Sequence, residues 1–200
     1  MQGLRWCAAM VFVLGLAGCQ SSMMVKTDGA APMPEQGKAM VVFLRPSSFG
    51  GAIQSSVYDT REGDDAFIGI VSTHTKTAYQ ADPGEHLFMV IAENADFMIA
   101  HLEAGKTYYA LVSPRMGVWK ARFSLLPIHG DAGAKYSLRS GDFTSWMESS
   151  AWVRLTPEAE RWYRENAAGI REKKRDYLRK WNAADPQQRE ELTLKAEDGV

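Results

Sequence analysis

The stretch HLFMVIAENADFMIAHLE, residues 86–103, contains two apolar segments joined by a short polar turn. Residues 87–92 and 97–102 are apolar at nearly every position, with His101 as the exception. A strand with one wet face would alternate apolar and polar residues, because successive side chains point to opposite faces of the sheet. The stretch therefore predicts a β-hairpin that is covered on both faces.

Further strand signals lie on both sides of this hairpin at short spacing. Turn sequences separate them, notably 47–51, 82–84 and 104–106, in which proline fixes φ or glycine admits a positive φ. Many short strands with regular turns are typical of a sandwich or barrel. We therefore expect a mainly β protein in which residues 38–128 form an antiparallel β-sandwich. The predicted strands read AMVVFLR, AIQSSVYD, FIGIVS, THTKTAYQ, HLFMVIAE, FMIAHLE, TYYALVS and VWKARFSLL.

Residues 156–200 have the pattern of a helical extension, linked to the sandwich by a connecting segment, 129–155. Thr156-Pro157-Glu158 supplies a capping hydroxyl, a fixed φ and a negative charge at the helix start. An amphipathic helix is predicted from there to about residue 181. Asp185-Pro186 repeats the start signal, so a short second helix is expected over PQQREELTL. An arc ~100° wide on the first helix holds Ala159, Tyr163, Ala167, Ile170, Tyr177, Leu178 and Trp181, with Asn166 and Lys174 among them.

Two interpretations of the apolar arc are open. It can pack against the exposed apolar face of the hairpin, or Tyr163, Tyr177 and Trp181 can dock on another protein or at a lipid surface. A neighbouring face of the same helix carries arginines that suit an envelope protein or another anionic surface, whereas the acidic residues between them suit a solvated helix with salt bridges. These candidate partner-binding residues are Arg164, Arg171, Arg175 and Arg179.

The amino terminus predicts export. Arg5 precedes an apolar run, 6–18, that is too short to span the ~30 Å hydrocarbon core of a bilayer, which is typical of a signal peptide. Leu16-Ala17-Gly18-Cys19 closes this run and resembles the bacterial lipobox. The resemblance implies that residues 1–18 are removed and that Cys19 is lipidated. A flexible tether, 19–37, is expected next, because it is rich in Ser, Ala, Gly and Pro.

The lipobox resemblance also implies a location. Cys7 leaves with the signal peptide and Cys19 is modified, so no free thiol remains in the mature chain. Several acyl chains, at ~0.8 kcal/mol per buried CH₂, hold a protein on a membrane where one chain is marginal. Gln20 rather than aspartate after the cysteine implies the outer membrane, with the protein on its periplasmic face.

No catalytic, metal or cofactor motif is evident. His74, His86, His101 and His129 lack the spacing of metal ligands, and no nucleophile elbow or phosphate loop occurs. The acidic loop 62–65 is expected to be a hairpin turn rather than a calcium site. We therefore predict a protein that is not an enzyme and that binds no metal or cofactor.

Two alternatives stay open. A hydrolase would need His74, His86 or His129 beside a carboxylate in one cleft. A glycan-binding module would use tryptophans such as Trp119, Trp146 and Trp152 as stacking platforms. A formal net charge of −1 gives no indication of a nucleic-acid partner, and the sequence leaves the oligomeric state open.

The β segment carries a resemblance of its own. FLRPSSFGG, VYD, FIG, the Pro83-Gly84-Glu85-His86 turn and Gly105-Lys106-Thr107-Tyr108-Tyr109 occur in this order. Together they resemble a family of small proteobacterial lipoproteins with a domain of unknown function. The resemblance implies a β-sandwich lipoprotein of the cell envelope. We therefore expect a lipid-anchored, non-enzymatic binding or scaffolding module.

Overall fold

A computed structural model describes residues 23–60, 65–116 and 122–200 of the chain. The described residues form a mainly β protein with three helices and a short 3-10 turn over Ala196–Asp198. The helices are α1 (Gly141–Ser149), α2 (Pro157–Asn182) and α3 (Pro186–Glu190). The strands are β1 (Met24–Lys26), β2 (Ala39–Arg45), β3 (Ser56–Asp59), β4 (Ala66–Ile70), β5 (Thr75–Ala81), β6 (Gly84–Ile91), β7 (Ala95–Leu102), β8 (Thr107–Arg115), β9 (Arg122–Ile128), β10 (Ala151–Leu155) and β11 (Thr193–Leu194).

The strands form two mixed sheets. Sheet 1 has the order β1-β10-β5-β2-β8-β9, and sheet 2 has the order β11-β7-β6-β3-β4. Most neighbours are antiparallel, but β2 and β8, β10 and β5, and β11 and β7 are parallel pairs. The prediction of a purely antiparallel sandwich is therefore wrong. Parallel neighbours need crossover connections rather than hairpins, and α1 and α3 lie within two of these crossovers.

The main core lies between the two sheets. Val41 and Phe43 of sheet 1 and Phe88 and Met98 of sheet 2 are buried in one apolar cluster. The rings of Phe43 and Phe88 meet edge to face, with their centroids 5.2 Å apart. A strand is present at each of the eight predicted positions. β2 has the predicted ends and the other seven have shifted ends, and residues 118–121 of the last prediction lie outside the described residues.

Helix α2 covers the second face of the β6–β7 hairpin. Met89 and Phe97 of the hairpin share a buried cluster with Ile170 and Trp181 of the helix, and the rings of Phe97 and Trp181 lie 5.8 Å apart. Tyr163 stacks on Phe67 of β4 at 5.2 Å. The prediction of a hairpin covered on both faces is confirmed, and the apolar arc of α2 packs against the chain's own sheet.

The outer face of sheet 1 is covered by the connecting segment. Leu44 and Leu111 of the sheet form an apolar cluster with Phe143 and Trp146 of α1. Ser140 caps α1, since its hydroxyl accepts a hydrogen bond from the Phe143 amide at 3.1 Å. The sequence did not predict α1, because a nine-residue helix with Gly, Ser and Thr has weak intrinsic propensity.

Three strands extend the sheets beyond residues 38–128. Within 19–37, where we expected a tether, Met24 is 8 % exposed and pairs with Leu155. β10 joins sheet 1 from the connecting segment. Only the first part of the predicted second helix is helical, because Thr193 and Leu194 are buried and pair with β7 as β11. Segments of two or three residues take their structure from the strand beside them, and composition does not reveal that neighbour.

Candidate functional site

A recess of about 840 Å³ lies where β9 ends, next to the last residues of the chain. His129 lines this recess, and its Nδ1 atom lies 2.9 Å from Oδ2 of Asp198. Asp198 is nearly buried and accepts backbone N–H bonds from Gly130 at 2.9 Å and Lys195 at 2.8 Å. These bonds fix the carboxylate, and the carboxylate fixes the imidazole ring.

Residues 195–200 are held in place by β8 and the turn before it. Tyr108 Oη and Lys106 Nζ both donate to the Ala196 carbonyl, at 3.2 and 2.9 Å. Thr107 and Val200 exchange two backbone hydrogen bonds, of 2.7 and 3.0 Å. A Cβ atom on Gly199 would come within 2.6 Å of Tyr108, so only glycine allows this close approach. The Asp198 side of the recess is therefore rigidly positioned.

The His129–Asp198 pair has the geometry of a general base. In the tautomer whose Nδ1–H donates to the Asp198 carboxylate, Nε2 is the acceptor of the ring. Arg139 and Lys195 line the same recess together with several acidic residues, and Lys195 forms an ion pair with Glu190 at 2.8 Å. The described lining residues include no serine, threonine or cysteine. The arrangement can bind a polar ligand or activate water, and it provides no side-chain nucleophile among these residues.

A second histidine–carboxylate pair is enclosed by its own contacts. Nδ1 of His86 lies 3.0 Å from Oδ2 of Asp59, and Tyr79 donates to the same oxygen at 2.9 Å. Nε2 of His86 lies 2.8 Å from the Asp82 carbonyl, and the ring stacks on Phe88. Both ring nitrogens have hydrogen-bond partners, so His86 connects the turn at Pro83-Gly84 to β3.

The other two histidines do not form such a site. His74 is exposed, with Nε2 2.9 Å from the Ser48 hydroxyl. His101 is exposed and lies 3.9 Å from Glu85. In the described ranges, no cluster of three or more histidine, cysteine or acidic side chains could hold a metal ion. Cys19, Trp119 and residues 62–64 of the acidic loop lie outside the described residues.

The arginines predicted as a partner-binding site lie on the solvent-exposed side of α2. All four are exposed, and Arg179 forms an ion pair with Asp176 at 2.8 Å. We call this surface the arginine ridge: Arg164, Arg171, Arg175 and Arg179. Helix α2 is too polar to cross a bilayer, and no other helix in the described part of the chain is long and apolar enough to do so.

Trp146 and Trp152 have different environments. Trp146 lines a groove of about 450 Å³ between α1, the second half of β8 and the loop that follows β2. The Trp152 ring instead faces Lys76, whose Nζ atom lies 5.0 Å from the ring centre. The two tryptophans therefore do not form one stacking platform.

Two buried cations were not predicted from the sequence. Arg45 is fully buried; its guanidinium donates to the Ile53 and Gly50 carbonyls at 2.9 and 2.7 Å and lies over the Phe123 ring. Burial lowers the pKa of Arg45 to about 10. Lys76 donates to the Met147 carbonyl of α1 and to the carbonyl of Ser150, the residue after the helix, and burial lowers its pKa as well. The only sequence feature that pointed to Arg45 was the Arg-Pro pair at the end of the first predicted strand. The role of this arginine is structural.

No protein-family model matches this sequence, and a search of curated proteins gives no match either. The lipoprotein resemblance therefore stays a prediction from its motifs. The function of the protein has to be inferred from the geometry of its sites together with the lipobox sequence.

Proposed function

We propose that the protein is a lipid-anchored, non-enzymatic binding or scaffolding module on the periplasmic face of the outer membrane. The anchor is Cys19, which follows the signal-peptide pattern and would carry the acyl chains. Residues 20–23 separate Cys19 from β1, a distance of at most ~17 Å when fully extended. The anchor would therefore hold the edge of sheet 1 close to the membrane surface.

The observation that carries the binding role is the way α2 is docked. Its apolar arc is occupied by sheet 2, so the helix cannot offer that face to a partner. The arginine ridge is exposed on a helix that packs along its length against sheet 2, which fixes the positions of the four arginines along the helix backbone. A row of guanidinium groups on one helix face suits the carboxylates of an acidic protein surface. The partner we propose is an envelope protein with such a surface.

The anchor is tested by fractionating envelopes that contain the wild type, Cys19→Ser or Cys7→Ser. We expect the wild type and Cys7→Ser in the outer-membrane fraction, because Cys7 leaves with the signal peptide. Cys19→Ser should be lost from that fraction. Retention of Cys19→Ser at the wild-type level would overturn the anchor.

The ridge is tested by charge reversal in the lipidated full chain. We expect Arg171→Glu with Arg175→Glu to abolish co-purification of the partner from solubilised envelopes. The matched control reverses the exposed Arg122 and Arg154 on sheet 1, and it should retain the partner. Equal loss in both double variants would show that overall charge, not the ridge, determines binding.

A second candidate function is a hydrolase that acts through the recess at His129. It is favoured by one observation, the oriented His129–Asp198 pair, which would activate water as a general base. The test is product release from peptidoglycan and from phospholipid vesicles by the purified protein. A hydrolase would lose activity in His129→Ala and keep it in the exposed control His101→Ala. If neither peptidoglycan nor phospholipid vesicles release a product, hydrolysis of these substrates is excluded and the binding role is favoured.

A further inference from the structure

The groove beside Trp146 combines apolar faces with hydroxyl groups. Pro46, Pro114, Tyr136 and Trp146 supply flat or rigid apolar surface, and the rings of Tyr136 and Trp146 lie 6.3 Å apart at 48°. The volume of about 450 Å³ is within the range of small-ligand sites. We call this feature the Trp146 groove.

Apart from His74, the polar side chains of the lining are hydroxyl groups. Four serines line the groove, Ser47, Ser113, Ser145 and Ser149, and each hydroxyl both donates and accepts. The described lining residues include no aspartate, glutamate, lysine or arginine, in a chain of which 24 % is charged. A charged ligand would therefore find no carboxylate, ammonium or guanidinium group among them. A ligand with many hydroxyl groups and one apolar face would be matched by serines on one side and aromatic rings on the other.

The loops around the groove are held by buried contacts. Arg45 donates to the carbonyls of Phe49, Gly50 and Ile53, so the loop that begins at Pro46 is fixed at several points. His74, which also lines the groove, has a φ of 53°, and no other described residue except glycine has a positive φ. Its backbone N–H donates to the Arg45 carbonyl at 2.8 Å, which holds it in this conformation. The groove is therefore preformed, which lowers the entropic cost of binding.

The groove opens at the end of the sandwich opposite to the proposed anchor. Pro46 follows the end of β2 at Arg45, which pairs with Thr75 at the start of β5. Thr75 pairs with Ala151 at the start of β10, whereas the chain enters β1 at Met24, opposite Leu155 at the end of β10. If Cys19 is anchored as proposed, the groove faces away from the membrane and into the periplasm.

We infer that the Trp146 groove binds a neutral oligosaccharide, with Trp146 stacking on a sugar ring and the serine hydroxyls bonding to the sugar hydroxyls. The chemistry of the groove does not depend on lipidation, but its access to envelope glycans rests on the proposed anchor. A proline-rich peptide is the competing neutral ligand. Its carbonyls accept hydrogen bonds from serine hydroxyls, but its prolines have no N–H or O–H donor for the serine oxygens, whereas sugar hydroxyls both donate and accept.

The test is calorimetric titration of the purified full chain with chitotetraose, cellotetraose, maltotetraose and hexaproline. We expect at least one of the tetrasaccharides to bind and hexaproline not to bind. Ser145→Arg places a long side chain in the groove from an exposed position on α1 and should weaken sugar binding about tenfold or more. The matched control Thr144→Arg adds the same side chain at an exposed α1 position outside the groove and should bind as the wild type does.

Each result decides the inference. Trp146→Phe keeps a ring in the apolar cluster of α1 but offers less stacking area, so weaker binding with an unchanged melting temperature supports the proposal. No binding of any tetrasaccharide at millimolar concentration would overturn it. Binding of hexaproline alone, or equal binding by Ser145→Arg and the wild type, would also overturn it. Membrane fractionation of Cys19→Ser is a separate readout, so failure of the anchor and failure of the groove are distinguishable.

Discussion

The Nζ atom of Lys174 on α2 lies 2.5 Å from Oδ1 of Asp65, the residue immediately before β4. The Lys174 side chain is 16 % exposed and that of Asp65 is 1 % exposed. Lys174 is one of the two polar residues within the apolar arc of α2, and this contact explains its position. Tyr163 donates to the Asp65 carbonyl at 2.6 Å, so one residue beside the sheet bonds to two residues of the helix. The pair fixes where α2 crosses sheet 2.

Removing Lys174 should destabilise the folded protein, because Asp65 would keep a buried negative charge without this cation. We expect Lys174→Ala to lower the free energy of unfolding by about 3 kcal/mol. Urea denaturation monitored by circular dichroism measures the change. Arg161→Ala, at an exposed position of the same helix, should change stability by less than about 0.5 kcal/mol. Lys174→Met combined with Asp65→Asn should recover most of the loss, and failure to recover it would contradict the ion-pair explanation.

Gly169 should be replaceable by alanine with a gain in stability. A Cβ atom at this position would meet nothing within 4 Å, and glycine in a helix costs about 1 kcal/mol relative to alanine. We therefore expect Gly169→Ala to raise the free energy of unfolding by about 1 kcal/mol in the same assay. A destabilised variant would mean that α2 lies closer to β3 and β6 than the structure shows.

Arg45 and lysine should not be interchangeable. Lysine cannot reproduce the planar set of donors that reaches the carbonyls of Phe49, Gly50 and Ile53. We expect Arg45→Lys to lower the free energy of unfolding by about 2 kcal/mol. We also expect faster chymotryptic cleavage after Phe49, which is already half-exposed. The exposed substitution Arg115→Lys is the control. Unchanged cleavage in Arg45→Lys would contradict the role of the guanidinium in holding the loop.

Stability should fall above pH 10, in part through Tyr58. This phenol is fully buried, and burial raises its pKa well above the ordinary value of 10. Above pH 10 the unfolded chain loses the proton while the folded chain keeps it, so the folded state binds more protons and stability decreases as pH rises. Between pH 8 and pH 11, we expect the free energy of unfolding to decrease by about 1 kcal/mol less in Tyr58→Phe than in the wild type. An identical loss in both proteins, measured as the shift in urea midpoint, would contradict this assignment.

The parts of the fold that local pattern determines were predictable. The two-sided apolar composition of 87–92 and 97–102 indicated a hairpin with two covered faces, and the period of the apolar arc indicated the helix that covers one of them. The strands β1 and β11 were not predictable, because Met24 and Leu194 become strand residues only through pairing with distant segments.

The candidate sites were less predictable than the fold. His129 and Asp198 are separated by 69 positions, and the contact depends on a 3-10 turn that β8 holds in place. The Trp146 groove combines side chains from α1, from β8 and from the loop that follows β2. The arginine ridge was visible in advance, because four exposed residues on one helix follow a simple period.

The most direct test of the binding role is photo-crosslinking in the native host, with the probe amino acid at position 175 on the ridge. The control carries the probe at position 142, which is exposed on α1 over the opposite sheet. We expect a discrete adduct with one envelope protein from position 175 and none from position 142. Loss of that adduct when Arg171→Glu is added would tie it to the ridge. No adduct from position 175, or the same adduct from both positions, would contradict the account.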